Sequence, residues 1–181
     1  MLPLTDFLAQ AKSLSRGEFV SVHSGYFLVK RPRKGASLAP EPTFGFATVT
    51  AKVEFDPFAS SWQIAAVEKR PGNPFPERLT VGRATNCDIV LRVPFVSKVH
   101  AHILKDPVGE LRLRDNRPSN ATFHNHRKLG PGATRPLAVG DMVGFGSLEF
   151  ELVDGSRLYE ILTHEISEHS VCPKPGGDAE R

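Results

Sequence analysis

From residue 62 onward the chain is written in short apolar bursts separated by turn-forming residues. The segments 62–67, 78–81, 88–91, 100–104, 111–114, 142–145 and 148–153 each read as a β-strand, and no helical period interrupts the series. Between them stand Pro71-Gly72-Asn73-Pro74, Asp106-Pro107-Val108-Gly109 and Gly130-Pro131-Gly132, residue types that supply positive or pre-set φ angles for tight turns. Short strands at such close spacing predict an antiparallel sandwich or barrel, so the chain is read as mainly β.

The N-terminal third is patterned differently. Residues 4–15 read as a short amphipathic helix capped by Thr5 or Asp6, with Phe7, Leu8, Ala11 and Leu14 on one face. Residues 18–30, rich in Phe, Val and Tyr and broken by Ser24-Gly25, read as two strands and a turn. Lys30-Arg31-Pro32-Arg33-Lys34-Gly35 opens a proline-rich linker over 31–43, and 44–55 alternates like a strand with one wet face. Residues 156–168 suit a closing helix, capped by Ser156, that buries Leu158, Ile161, Leu162 and Ile166. The expected organisation is an α+β extension over 1–58, a β-sandwich over 59–155, a short C-terminal helix over 156–168 and a disordered tail over 169–181. Whether the extension joins the sandwich or stands apart stays open.

Composition narrows the class. A chain of 181 residues holds one ordinary domain plus extensions. It is 40% hydrophobic and 24% charged with a formal charge of +3, a balance that permits an anionic ligand without arguing for nucleic acid. Two cysteines, Cys87 and Cys172, are too few and too distant for a disulfide framework and read as free thiols. No apolar run approaches the ~20 residues needed to span a bilayer. The first residues lack the basic start and apolar stretch of a secretory leader, so the expected compartment is the cytoplasm, without membrane contact.

The candidate chemistry sits near predicted loops in Gly82-Arg83, in Ser97-Lys98-Val99-His100 and in Ser119-Asn120-Ala121-Thr122-Phe123-His124-Asn125. A phosphate dianion asks for a bidentate guanidinium, hydroxyl donors and backbone N–H groups. Arg83 can supply the fork, Ser97 and Ser119 the hydroxyls, Lys98 a point charge, and Asn120 a hydrogen bond to a peptide backbone. No carboxylate is set to act as a base and no Cys-His pair has a sensible setting, so the segments suit holding a phosphate, not cleaving it. His100 and His102, two apart, would share a strand face, and His124-x-His126 offers another pair. Neither has a carboxylate or cysteine at ligand spacing, so His100 is read as structural, and no metal or cofactor is expected.

In their order along 62–153 these segments resemble the forkhead-associated (FHA) domain family. The match runs through Gly82-Arg83, Ser97-x-x-His100, Asn120-Ala121-Thr122-Phe123-x-Asn125, Leu137-x-x-Gly140-Asp141 and Phe145-Gly146. The resemblance implies an FHA-like antiparallel β-sandwich that binds phosphothreonine in a partner protein, a Ser/Thr kinase or its substrate, and catalyses nothing. It implies phosphate contact by Arg83 and Ser97, with Ser119 as a further donor, Lys98 touching ligand and Asn120 holding the peptide main chain. Gly82, His100 and Asn125 would tie the binding loops together. Phe95, in the stretch before Ser97, would read the third residue after the phosphothreonine and favour an apolar one. Asn116 and Arg117, in the loop stiffened by Pro118, complete the candidate specificity residues. Ala121 replaces the family's glycine; if that glycine takes φ > 0, alanine costs roughly 1 kcal/mol there. The alternative is a phosphate-independent scaffold of the same fold.

Overall fold

The computed structural model describes residues 4–31 and 63–170. Two helices, α1 (Leu4–Ser13) and α2 (Arg16–Val22), lead into β1 (Tyr26–Lys30). Then follow β2 (Gln63–Ala66), β3 (Arg78–Gly82), β4 (Ile89–Val90), β5 (Ala101–Lys105) and β6 (Leu111–Asp115). After these come β7 (Thr122–His124), β8 (Arg127–Lys128), β9 (Thr134–Leu137), β10 (Met142–Phe145) and β11 (Leu148–Asp154), and α3 (Gly155–Ser170) closes the fold. The strands form two sheets, one in the order β2-β1-β11-β10-β7-β8 and one in the order β4-β3-β5-β6-β9. Their pairings are antiparallel except β3 with β4, which is parallel. The protein is a mainly β sandwich.

The period-2 pattern explains how the sheets close. Leu79 and Val81, Ala101 and Ile103, and Leu111 and Leu113 turn inward from β3, β5 and β6. They meet Leu28, Val143, Phe145, Phe150 and Leu152 of the other sheet. β1 is buried on both faces: Leu28 enters this core, while Phe27 and Val29 point the other way. There they pack with Phe7 and Ala11 of α1, Phe19 of α2, and Leu158, Ile161 and Leu162 of α3. The N-terminal segment is therefore woven into the sandwich, since β1 lies between β2 and β11.

Three readings of the sequence change. Residues 18–22 are helix, not strand, because Ser15 and Glu18 form a capping box: the Glu18 N–H donates to Ser15 Oγ at 3.4 Å and the Ser15 N–H to Glu18 Oε2 at 2.9 Å. Burial of Phe19 against α3 then outweighs the β propensity of Phe19, Val20 and Val22. α3 is capped by Asp154, whose Oδ1 accepts the Arg157 N–H at 2.8 Å, and Ser156 instead accepts from Arg16 at 2.6 Å. The strands β7, β8 and β9 had no clear alternation; β9 tolerates Pro136 because it lies at a sheet edge. The strand expected over 44–55, most of the linker and Cys172 lie outside the described residues, while the helix expected to end at 168 runs to Ser170. No helix among the described residues is long and apolar enough to cross a membrane.

Candidate functional site

The β3–β4, β4–β5 and β6–β7 loops meet at one end of the sandwich, and Gly82 is where the first two touch. A Cβ on Gly82 would stand 2.3 Å from the Lys98 carbonyl oxygen, so only glycine fits. This approach lets the Arg83 N–H donate to Ser97 O at 3.0 Å and the Ala84 N–H to Lys98 O at 3.1 Å. The buried Cys87 thiol also donates to Lys98 O at 3.2 Å, and burial pushes its pKa up. The backbone is thus zipped on both sides of Arg83, whose side chain projects into solvent.

The second loop is anchored from below by His100, which has no exposed surface. Its Nδ1 accepts the Ser97 N–H at 3.2 Å, which fixes a neutral ring protonated on Nε2, and the ring stands edge-on to Phe145 at 5.7 Å. Burial holds the pKa of His100 below its usual value, against the opposing pulls of the Ala121 backbone and Asp115. The third loop is anchored by Asp115, also buried. One of its oxygens accepts the Thr122 hydroxyl at 2.6 Å; the other accepts the Arg117 N–H at 2.8 Å and the Gly132 N–H at 3.1 Å. Arg117 sits at φ 53° under this constraint.

The loops are then stitched to one another. The Ser119 N–H donates to Ser97 Oγ at 3.0 Å, Asn120 Nδ2 to Phe95 O at 2.7 Å, and Asn116 Nδ2 to Val99 O at 3.1 Å. Gly146 closes the arrangement at φ 63°, where a Cβ would come within 2.9 Å of the Phe95 ring. Its N–H donates to Ala121 O at 3.0 Å. Ser97 Oγ is occupied as an acceptor, yet its proton remains free to donate outward. Among the described residues the side-chain cations of Arg83, Lys98 and Arg117 have no hydrogen-bond or ion-pair partner, and all three residues are exposed on adjoining loops. The result is a rigid rim with loose positive charge and a free hydroxyl, able to accept a tetrahedral oxyanion.

Several expected placements differ. Ala121 has no positive φ, so it is not strained; Arg117 occupies the left-handed region instead. Asn125 does not reach these loops. It sits at the other end of β7, at φ 49°, where its Oδ1 accepts the Met142 N–H at 2.8 Å and its Nδ2 donates to Asp141 at 2.8 Å. His100 and His102 do not share a face, because β5 begins only at Ala101: His100 turns into the core while His102 pairs with Thr80 and Arg114 on the outer face. His124 bonds Asp141 at 2.8 Å and His126 bonds Glu149 at 3.2 Å. Among the described residues no three His, Cys, Asp or Glu side chains are grouped to hold a metal ion.

Two supporting carboxylates escaped the sequence reading. Asp115 follows Leu111 and Leu113 at inward parity, a signal that was legible. Asp88 is buried beneath the β3–β4 loop and accepts from the Thr80 N–H (2.7 Å) and hydroxyl (2.9 Å), the Arg70 N–H (3.0 Å), Asn73 Nδ2 (2.6 Å) and Lys69 Nζ (3.4 Å). Burial disfavours its charge, but the hydrogen bonds from Thr80 and Arg70 outweigh that and hold its pKa below the usual range.

Fold and loops together make a β-sandwich with exposed cations, unpaired among the described residues, gathered at one loop end. Residues 79–146 match the model of the FHA domain family, and the chain carries an FHA domain. Over 81 residues it is 33% identical to an ABC transporter ATP-binding/permease protein of Mycobacterium tuberculosis; the match spans 45% of this chain but only 9% of that relative. Among solved structures it is similar to Mycobacterium tuberculosis EmbR in complex with a low-affinity phosphopeptide, at 28% identity over 44% of this chain and 20% of that one, TM-score 0.40. It is also similar to the N-terminal FHA domain of S. cerevisiae Rad53p in complex with a phosphothreonine peptide, at 20% identity over 55% and 90%, TM-score 0.45. The FHA domain of the Chlamydia trachomatis CT664 protein aligns at 21% identity over 71% and 97%, TM-score 0.45.

Proposed function

We propose that this protein reads phosphothreonine in a partner protein and links the two in a phosphorylation-dependent way, without catalysis. The observation that carries the reading is the pairing of Arg83 with Ser97. The Arg83 backbone is tied to the Ser97 carbonyl at 3.0 Å, its guanidinium is unpartnered among the described residues, and the Ser97 hydroxyl oxygen accepts the Ser119 N–H while its proton stays unspent. The FHA family match supports the same ligand class, since such domains read phosphorylated motifs.

A phosphothreonine brings about −1.5 to −2 charges at pH 7. Arg83 offers the bidentate fork, Ser97 and Ser119 hydroxyl donors, and Lys98 a further charge. Asn120 spends one amide proton on Phe95 O and keeps its Oδ1 and other proton for the peptide main chain. Phe95, Asn116 and Arg117 flank the rim where neighbouring peptide residues would lie, and the half-buried Phe95 favours an apolar residue three places after the phosphothreonine. The ligand would be made by a Ser/Thr kinase in the cytoplasm. Among the described residues, the Asp115 oxygens accept Thr122, Arg117 and Gly132, and His100 Nδ1 is occupied, so neither group is available as a base at the rim.

The test is calorimetric titration of the whole chain with matched threonine and phosphothreonine peptides. Binding of the phosphorylated form alone, abolished by Arg83→Ala without a change in melting temperature, is the expected result. Equal binding of both forms would instead assign a phosphate-independent scaffold.

A further inference from the structure

We propose that the outer face of the β4-β3-β5-β6-β9 sheet carries a second cleft that grips an acidic segment of the same partner whose phosphothreonine the loops read. The inference rests on the phosphothreonine reading. The cleft, about 650 Å³, lies between the 70–76 loop and the sheet and is lined by Arg70, Phe75, Arg78, Thr80, His102 and Asn116 among others. No aspartate or glutamate lines it.

Strand register places Arg114 in one outward row of the sheet and Arg78 and Arg112 in the next. Thr80, His102 and Arg114 face outward side by side, and Arg78, Leu104 and Arg112 form the next row. Arg78, Arg112 and Arg114 have no carboxylate partner among the described residues. Arg78 is stacked over the Phe75 ring, 3.8 Å from its centroid, and its buried Nε has no hydrogen-bond partner. Stacking holds the guanidinium in place without spending its donors, an arrangement suited to a carboxylate. Asp88, next in the chain to the lining residue Cys87, is already saturated by Thr80, Arg70, Asn73 and Lys69. Those bonds pin the 69–73 stretch to β3, so the cleft wall is preformed and little ordering cost remains for a ligand.

Continuity makes the occupant a peptide. Thr85 and Asn86, Val99, and Asn116 form the rim of the cleft, and in sequence they lie within two or three residues of Arg83, next to Lys98, and next to Arg117. A chain leaving the loop end can therefore run directly onto the basic face, and the lack of lining carboxylates selects acidic side chains.

The experiment compares a phosphothreonine core peptide with versions extended on either side by aspartates or by neutral serines, titrated against the whole chain. One aspartate extension is expected to tighten binding by about tenfold over its serine counterpart at low salt, with the gain shrinking as salt rises. Arg114→Gln and Arg78→Gln should each reduce that gain and leave core-peptide affinity unchanged; Arg114 is exposed and can be changed without disturbing the fold. No gain from either extension, or a gain untouched by both variants, overturns the proposal. An unphosphorylated aspartate-rich peptide, added while backbone amide resonances are followed, should shift the signals of Arg78, His102 and Arg114. Absence of such shifts overturns the cleft, whereas failure of the core peptide alone to bind counts against the phosphothreonine reading. A duplex oligonucleotide that binds through Arg114 where the acidic peptide does not would also overturn it.

Discussion

The Ser119 N–H points at the Ser97 hydroxyl oxygen from 3.0 Å, joining loops that lie 22 residues apart in the chain. An N–H on one acceptor site of a hydroxyl leaves its proton free, so Ser97 can still donate to a ligand, and the Arg83 backbone is tied to the same residue.

Ser97→Ala should therefore weaken a phosphothreonine peptide by about tenfold to a hundredfold, the worth of one charge-assisted hydrogen bond. Ser119 is exposed, so water can take over its N–H and the melting temperature should scarcely move. Parallel titration and thermal melting of the variant check both parts.

Gly82→Ala should act on fold and function together. Its new methyl would meet the Lys98 carbonyl at 2.3 Å, forcing the loops apart. A stability loss of about 1–3 kcal/mol is expected from the overpacking, with loss of peptide binding. Denaturant unfolding measures the first, and titration at a temperature where the variant is folded measures the second.

The helices α1, α2 and α3 should melt with the sandwich as one unit. Phe19 is fully buried, with its ring 4.5 Å from His23 and 5.4 Å from Tyr159 of α3. Phe19→Ala should cost about 3–5 kcal/mol and lower the single unfolding transition without splitting it. A separate early transition in calorimetry would contradict the shared core.

Stability should fall on mild acidification. The folded pKa of His100 is depressed by burial, so below about pH 6.5 the unfolded chain binds the proton more readily. Its contribution is complete above that pH and is lost as pH falls toward the folded value. His23 and His102 are lowered too, burial being the largest cause for each, and act in the same direction. Asp88 is depressed from the carboxylate range, so its contribution is present above about pH 4 and goes only at lower pH. Melting temperatures followed from pH 8 to pH 3 should show both limbs. His100→Asn should flatten the upper limb and Asp88→Asn the lower, each from a less stable baseline.

The alternation of apolar residues by itself determined much: most strands after residue 62, the inward positions that make the core, and a closing helix with Leu158, Ile161 and Leu162 buried. Gly82, Arg83, Ser97 and His100 were legible because glycine, guanidinium, hydroxyl and imidazole at strand ends are uncommon demands on a chain. Local pattern could not reveal that residues 18–22 coil into α2, because the deciding terms were a capping box and burial of Phe19 against α3, far away in sequence. Nor could it show that β1 slots between β2 and β11, that Asn125 serves the far end of β7, or that Asp88 gathers donors from Lys69 to Thr80. Those facts depend on which groups meet across long separations. Side-chain periodicity chooses the face a residue presents, whereas only the folded register chooses the partner it finds there.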